Sequence, residues 1–242
     1  MDPVEAPASQ AKPRPIATLR EGPLHAALKA LLAEPGDRVE EPVDGYQVDL
    51  VRGDLLVEIQ TRSFASAARK LRDLVTRHRV RLVHPIPRER VLVKLPKGRR
   101  GSAERRRSPL RGGFERVFDE LVSIPELLAH ENFELELVAT REEEIRRHRP
   151  ERATRGAWRR RGWVVEERRL VEALDRRLLC TPHDLLALLP ADAPDPFRAR
   201  DLARGWRQPL RIGQRAAYCL RKSGAAVLVG KDGNTLVYRR VC

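Results

Sequence analysis

The chain of 242 residues carries only three cysteines (Cys180, Cys219 and Cys242) and one methionine. Three thiols so widely spaced exclude a disulfide framework. They also match no four-ligand zinc spacing, so Cys180-Thr-Pro-His183 reads as a turn. Aromatic residues are scarce, at 5%. No run of 18 apolar residues exists, which excludes a transmembrane helix. No Gly-rich phosphate loop of the Walker or dinucleotide type is present, which argues against an ATPase or a dehydrogenase. The opening Met1-Asp-Pro-Val-Glu-Ala-Pro-Ala8 has neither a basic nor an apolar segment, so no signal peptide is expected. The expectation is a protein of the reducing cytoplasm, with no membrane partner.

Positive charge, by contrast, is abundant. The chain has 48 Lys and Arg against 34 Asp and Glu, a net charge of +14, and only seven of the cations are lysine. Such a balance attracts polyanions, and nucleic acid, above all DNA, is the expected partner. The charge is also uneven. Lys97–Asp119 and Arg146–Arg169 are Arg-rich, the second holding ten arginines against three acids.

Residues 1–18 are rich in Pro and Ala and read as a disordered tail. From Leu19 the pattern becomes helical, with Leu24, Leu28, Leu31 and Leu32 at helical spacing and Pro35-Gly36 as the stop. Strands are expected at Val43–Val51 and Leu55–Thr61, with a turn at Arg52-Gly-Asp54. A basic helix is expected at Ser63–Arg79, then short strands at Val80–Val83 and Val91–Leu95. After an Arg/Gly/Ser loop over 97–113 come helices near Phe114–Val122 and Pro125–Ala129, and a strand at Phe133–Thr140. This alternation predicts an α/β domain over 19–150. A basic Trp/Arg linker over 151–163 would follow. The rest, 164–242, is expected to form a helix at Val164–Leu179, further helices up to Leu210–Ser223, and a hairpin about Lys231-Asp-Gly-Asn234. Helices followed by a hairpin in so short a segment resemble a winged helix-turn-helix.

Chemistry is concentrated in Gly45–Thr61. With Gly53-Asp54 as a two-residue turn, Arg52 opposes Leu55, Leu50 opposes Val57, Asp49 opposes Glu58 and Gln47 opposes Gln60. Alternation then places Val48, Leu50, Val57 and Ile59 on a core face, and Gln47, Asp49, Glu58 and Gln60 on the other. Like charges directly opposed across strands repel. A divalent cation offsets that repulsion, and Mg²⁺ commonly takes one or two carboxylates together with waters and phosphate oxygens. Glu21, at the start of the preceding helix, is a candidate third carboxylate.

Asp49, eight intervening residues and Glu58-Ile-Gln60 resemble the core motif of the PD-(D/E)XK, restriction-endonuclease-like nucleases. The order of elements over about residues 19–95 is similar to that of the Holliday-junction-resolvase branch. The resemblance implies a restriction-endonuclease-like mixed sheet flanked by helices, with Mg²⁺ or Mn²⁺ held by Asp49, Glu58 and Glu21. It implies hydrolysis of DNA phosphodiester bonds, and a homodimer, as in many such nucleases. Two positions depart from the motif: Val48 stands where Pro is usual, and Gln60 where Lys is usual. A Lys orients the attacking water and stabilises developing negative charge, whereas Gln only positions. Lys70 on the following helix is the candidate substitute, with Arg62 as another cation nearby. A non-catalytic DNA-binding or regulatory protein of the same fold is the alternative.

Elsewhere, Arg211, Arg215, Arg221 and Lys222 on the expected recognition helix, with Lys231 at the wing tip, suit phosphate contact. Trp158, Arg159, Arg160, Arg161 and Trp163 suit either base stacking and backbone grip or packing between domains.

Overall fold

The computed structural model describes residues 22–98, 101–109, 112–150 and 162–241. The expected tail, Glu21, and the Trp158–Arg161 part of the basic segment lie outside the described residues.

Helix α1 (Pro23–Leu32) opens on a proline at its first position, where the missing N–H costs nothing. It buries Leu24, Leu28 and Leu32 on one face. Strands β1 (Arg38–Val43), β2 (Tyr46–Arg52) and β3 (Leu55–Ile59) form an antiparallel meander. A 3-10 turn at Phe64–Ser66 and helix α2 (Ala68–Val75) cross over to β4 (Arg79–Lys94), which runs parallel to β3. Strand β5 (Glu104–Arg107) pairs back onto the end of β4. A 3-10 turn at Phe114–Val117, helix α3 (Phe118–Leu121) and a turn at Leu127–Ala129 lead to β6 (Phe133–His148), parallel to β4. Strand β7 (Trp163–Leu179) returns antiparallel to β6. The result is a mixed seven-stranded sheet in the order β1-β2-β3-β4-β6-β7, with β5 attached to β4.

Each face of the sheet has its own cover. The leucines of α1 pack on Leu50, Val57, Ile59, Val83 and Val138. On the other side α2 and the Phe114–Leu128 segment pack on Val51, Leu56, Val80, Leu82, Leu135 and Leu137. Fully burying such side chains stabilises by about 1.5–3 kcal/mol each.

Several expectations are corrected. The strand expected at Val43–Val51 is divided at Asp44-Gly45, and β1 precedes it. The basic helix is shorter, at Ala68–Val75, after a 3-10 turn. The two short strands expected at 80–83 and 91–95 are one strand of 16 residues, β4. The Arg-rich loop contains β5. The largest difference is Val164–Leu179, expected as a helix and found as β7. Its Leu, Glu, Arg and Ala content favours helix, but cross-strand pairing with β6 decides: Glu143 faces Arg169, Glu144 faces Arg168 and Arg141 faces Glu172. The α/β unit therefore continues past the expected boundary near 150 to Leu179.

Beyond it, Pro182–Leu188 forms a 3-10 segment opened by a Thr181/Asp184 capping box. Helices α4 (Ala199–Gly205) and α5 (Leu210–Ser223) and the hairpin β8 (Ala226–Asp232)–β9 (Thr235–Arg240) complete the chain. Phe197 bridges to Tyr238, adding a third short segment to the hairpin. The helices α4 and α5 approach closely at Gly213, where a Cβ would lie 2.0 Å from Ala199 O. Leu185, Phe197, Leu202, Ala216 and Leu220 join the same core as Phe118 and Leu121.

Candidate active site

The turn forms at Gly53-Asp54, with Gly53 at φ +56°. Arg52 faces Leu55, Val51 faces Leu56 and Leu50 faces Val57, as the sequence predicts. The paired register ends there, and Asp49 meets the next strand through the Ile59 N–H. Alternation does not hold as expected at this point. Val48 belongs to the core on the α2 side, whereas Leu50, Val57 and Ile59 belong to the core under α1.

The two carboxylates therefore find different partners. Asp49 Oδ2 accepts a hydrogen bond from the Ile59 N–H at 2.8 Å and lies 3.2 Å from His25 Nε2 on α1. Glu58 Oε2 accepts from Lys70 Nζ on α2 at 2.5 Å, and the same ammonium donates to Gln47 O at 2.5 Å. Helices on the two faces of the sheet thus each send one nitrogenous side chain to the acid pair. The side chains of Asp49, Glu58 and Lys70 are only 16%, 13% and 16% exposed, so their charges interact in a poorly solvated place.

Electrostatics separates the pair. Burial raises the Glu58 carboxyl, the charge of Asp49 adds to this, Lys70 opposes it, and the group titrates at about 7. Burial also pushes Asp49 upward. The hydrogen bond and charge of His25, the Ile59 N–H and the charge of Lys70 together hold it below the ordinary aspartate value. One carboxylate is firmly ionised and its neighbour exchanges a proton near neutrality, a division that acid–base chemistry requires. Lys70 and His25 already offset the repulsion that called for a cation.

Gln60 is placed beside this pair, with its N–H on Val83 O at 2.9 Å. Its side-chain amide donates to Ser66 Oγ at 3.2 Å. Its carbonyl accepts from His84 Nδ1–H at 2.6 Å; His84 is buried, which pulls its pKa down to about 4. Arg62 is exposed on the following turn. Two carboxylates suit Mg²⁺ or Mn²⁺, which complete their shells with water and phosphate oxygens. Among the described residues no three His, Cys, Asp or Glu side chains cluster as a ready metal site.

Sequence reasoning did not assign His25 to the site. It lies one turn before Lys29, which pairs with Glu40 of β1 at 2.7 Å, and both reach the sheet only in the folded chain. Much of the arginine excess also has structural work. Glu136, Glu142 and Glu144 of β6 are buried. Arg176 meets Glu136 at 2.6 Å, Arg90 meets Glu142 and Glu144 at 3.2 Å each, and Arg146 meets Glu144 at 2.6 Å.

The expected DNA-contact residues divide in the same way. Arg215 donates to Asp119 Oδ1 and O of α3 at 2.5 and 3.1 Å, and Arg211 lies 3.6 Å from the same carboxylate. Arg221 and Lys222 are exposed on α5, and Lys231 on β8. Tyr218, 41% exposed, shares their side of α5 and was not singled out by sequence. Trp163 packs edge-on to His148 with Lys94 over its ring, a packing role rather than a free stacking surface.

Comparison with known proteins places these features in a wider set. Residues 22–180 match the model of a family described as Domain of unknown function (DUF8091), a span that ends where β7 ends. The chain is also similar to an uncharacterized protein of Treponema pallidum (strain Nichols), 29% identical over 229 residues, which cover 93% of this chain and 87% of the relative. A similarity of that extent takes in the C-terminal helices as well. No solved structure matches.

Proposed function

We propose that this chain, which belongs to the DUF8091 family, is a metal-dependent nuclease of the PD-(D/E)XK type that hydrolyses DNA phosphodiester bonds. The observation that carries the reading is Lys70. It comes from α2 to within 2.5 Å of Glu58, beside Asp49, and restores the ammonium that Gln60 withholds from the motif. The order helix, three-strand meander, helix, parallel strand supports the same reading.

A bound Mg²⁺ or Mn²⁺ would polarise a phosphate and lower the pKa of a water. Asp49 and Glu58 are the residues that would hold it, with Glu21 as the expected third. His25 and the Ile59 N–H orient Asp49 and keep it ionised. Glu58, raised to about 7 by burial, would give up its proton to hold the ion, so metal affinity would rise with pH. Lys70 supplies positive charge where negative charge develops on the phosphate.

We read Pro182–Arg240 as a winged helix with α5 as its recognition helix and β8–β9 as its wing. Arg221, Lys222 and Tyr218 on α5 and Lys231 on the wing form the DNA-facing set, while Arg215 and Arg211 anchor the helix to α3. Arg105, Arg106 and Arg107 of β5 add an exposed basic edge on the sheet. The second reading, a DNA-binding protein without catalysis, is favoured by one observation: Lys70 and His25 neutralise the acid pair with no ion required.

The test is cleavage of end-labelled DNA with Mg²⁺ or Mn²⁺. Wild type cuts, and Asp49→Asn and Lys70→Met bind DNA but do not cut. Binding without cleavage in wild type establishes the second reading.

A further inference from the structure

One edge of β4 is paired at both ends and bare between them. β3 pairs with it at Arg79–Val83 and β5 at Val91–Lys94, whereas β6 runs along the opposite edge. The last bonds at each limit are Gln60 N–H to Val83 O and Ser108 N–H to Arg90 O. Residues 84–89 between them meet no strand on this edge among the described residues. At about 3.3 Å per residue the notch is roughly 20 Å long. Pro85 and Pro87 lie in it and offer no N–H, so an added β-strand would find a broken ladder.

A cavity of about 380 Å³ opens on this notch. Leu24, Pro85, Ile86 and Pro87 give it apolar surface, and Arg62, Arg90, Glu120 and Glu142 give it both signs of charge. The acids disfavour a bare phosphate and the arginines a bare cation. A nucleotide unit complements such a wall: it has an apolar ring face, an edge with donors and acceptors, and one phosphate. The volume is at the small end of ligand pockets, suited to one such unit. Arg90 Nε is buried with no hydrogen-bond partner among the described residues, which leaves a donor to be satisfied. The cavity's lining is next in the chain to Gln60 and His25. Thr61 follows Gln60, Leu24 precedes His25, and His84, also in its wall, bonds to Gln60 O.

We propose that this notch lodges one unpaired nucleotide of a DNA strand, so that the protein acts on single-stranded or frayed DNA and not on intact duplex. The proposal deepens the nuclease reading and rests on its DNA-binding part. Thr61 in its wall is three residues from Glu58, which would set a neighbouring phosphate near the acid pair.

The test is fluorescence anisotropy in EDTA with labelled dT12 and with a hairpin duplex of equal phosphate number. Thr61→Trp fills the cavity mouth and Arg62→Ala removes an exposed cation. Thr61→Trp is expected to weaken dT12 binding about tenfold, equivalent to about 1.4 kcal/mol or one stacked base, and to leave duplex affinity within about twofold. Arg62→Ala, on an exposed turn that tolerates truncation, is expected to weaken dT12 binding selectively as well. Unchanged dT12 affinity in both variants, equal loss for duplex, or no dT12 binding by wild type at low salt would overturn the proposal. Because no metal is present, failure of catalysis is read separately. Notch-dependent binding without metal-dependent cleavage removes the nuclease reading and keeps the notch, and cleavage indifferent to Thr61→Trp does the reverse.

Discussion

Lys70 on α2 and Glu58 on β3, twelve positions apart, meet at 2.5 Å in a place where both side chains are mostly withdrawn from water. The cation beside Glu58 is thereby delivered by the crossover helix, while the strand position holds the neutral Gln60. Removing one partner of a buried pair leaves the other charge uncompensated, at a cost of about 3–5 kcal/mol. Lys70→Met is therefore expected to destabilise the fold, and to do so more at pH 8 than at pH 5, where Glu58 is protonated and needs no partner. Thermal or urea denaturation at the two values checks this. An equal penalty at both contradicts the pairing.

Two buried groups set opposing pH slopes. Glu58 is raised from 4.5 to about 7, so the native state holds the extra proton and loses relative stability as pH rises from about 4.5 to 7. His84 is lowered from 6.5 to about 4, so the unfolded state holds the extra proton and stability is lost as pH falls from about 6.5 to 4. Relative to wild type, Glu58→Gln should gain stability on going from pH 4.5 to 7, and His84→Phe on going from pH 6.5 to 4. Each change is at most about 3 kcal/mol. Urea midpoints across pH 4–8 measure both.

The arginines of α5 should sort by role. Arg221→Ala and Lys222→Ala are expected to weaken DNA binding at low salt and to reduce the slope of log affinity against log salt by about 1 each, with melting unchanged. Arg215→Ala and Asp119→Ala are expected to lower stability instead. Their double-mutant coupling should fall in the range of about 0.5–3 kcal/mol for contacting residues. A coupling near zero would place Arg215 in the DNA-facing set.

The close approach of α4 and α5 makes Gly213 a structural requirement. A Cβ there meets the Ala199 carbonyl at 2.0 Å, and backbone cannot give way as a flexible side chain would. Gly213→Ala should destabilise by about 1–3 kcal/mol despite alanine's better helix propensity. A stabilised variant would show that the two helices are further apart.

The hairpin was legible because turn chemistry and register are local. Gly53-Asp54 fixes which residues face each other, and Asp49, Glu58 and the crossover helix with Lys70 followed from that. What escaped was long-range. His25 reaches Asp49 only once α1 lies on the sheet, and no local pattern distinguishes it from a core histidine. The side-chain alternation broke at Val48, which periodicity alone assigns to the face of Leu50. β7 looked helical because its residues prefer helix, and only the Glu and Arg residues of β6 opposite make it a strand. The same ladder accounts for part of the arginine surplus. Part of it neutralises the buried Glu136, Glu142 and Glu144.

Divalent-ion binding by the acid pair is the decisive property. Calorimetric titration of Mn²⁺ into wild type and into Asp49→Ala/Glu58→Ala, with a short DNA strand present, tests this most directly. Saturable binding at one site in wild type, lost in the double variant, is the predicted result. Identical heats for the two proteins would contradict it and leave Asp49, Glu58, His25 and Lys70 as a closed ion-pair cluster.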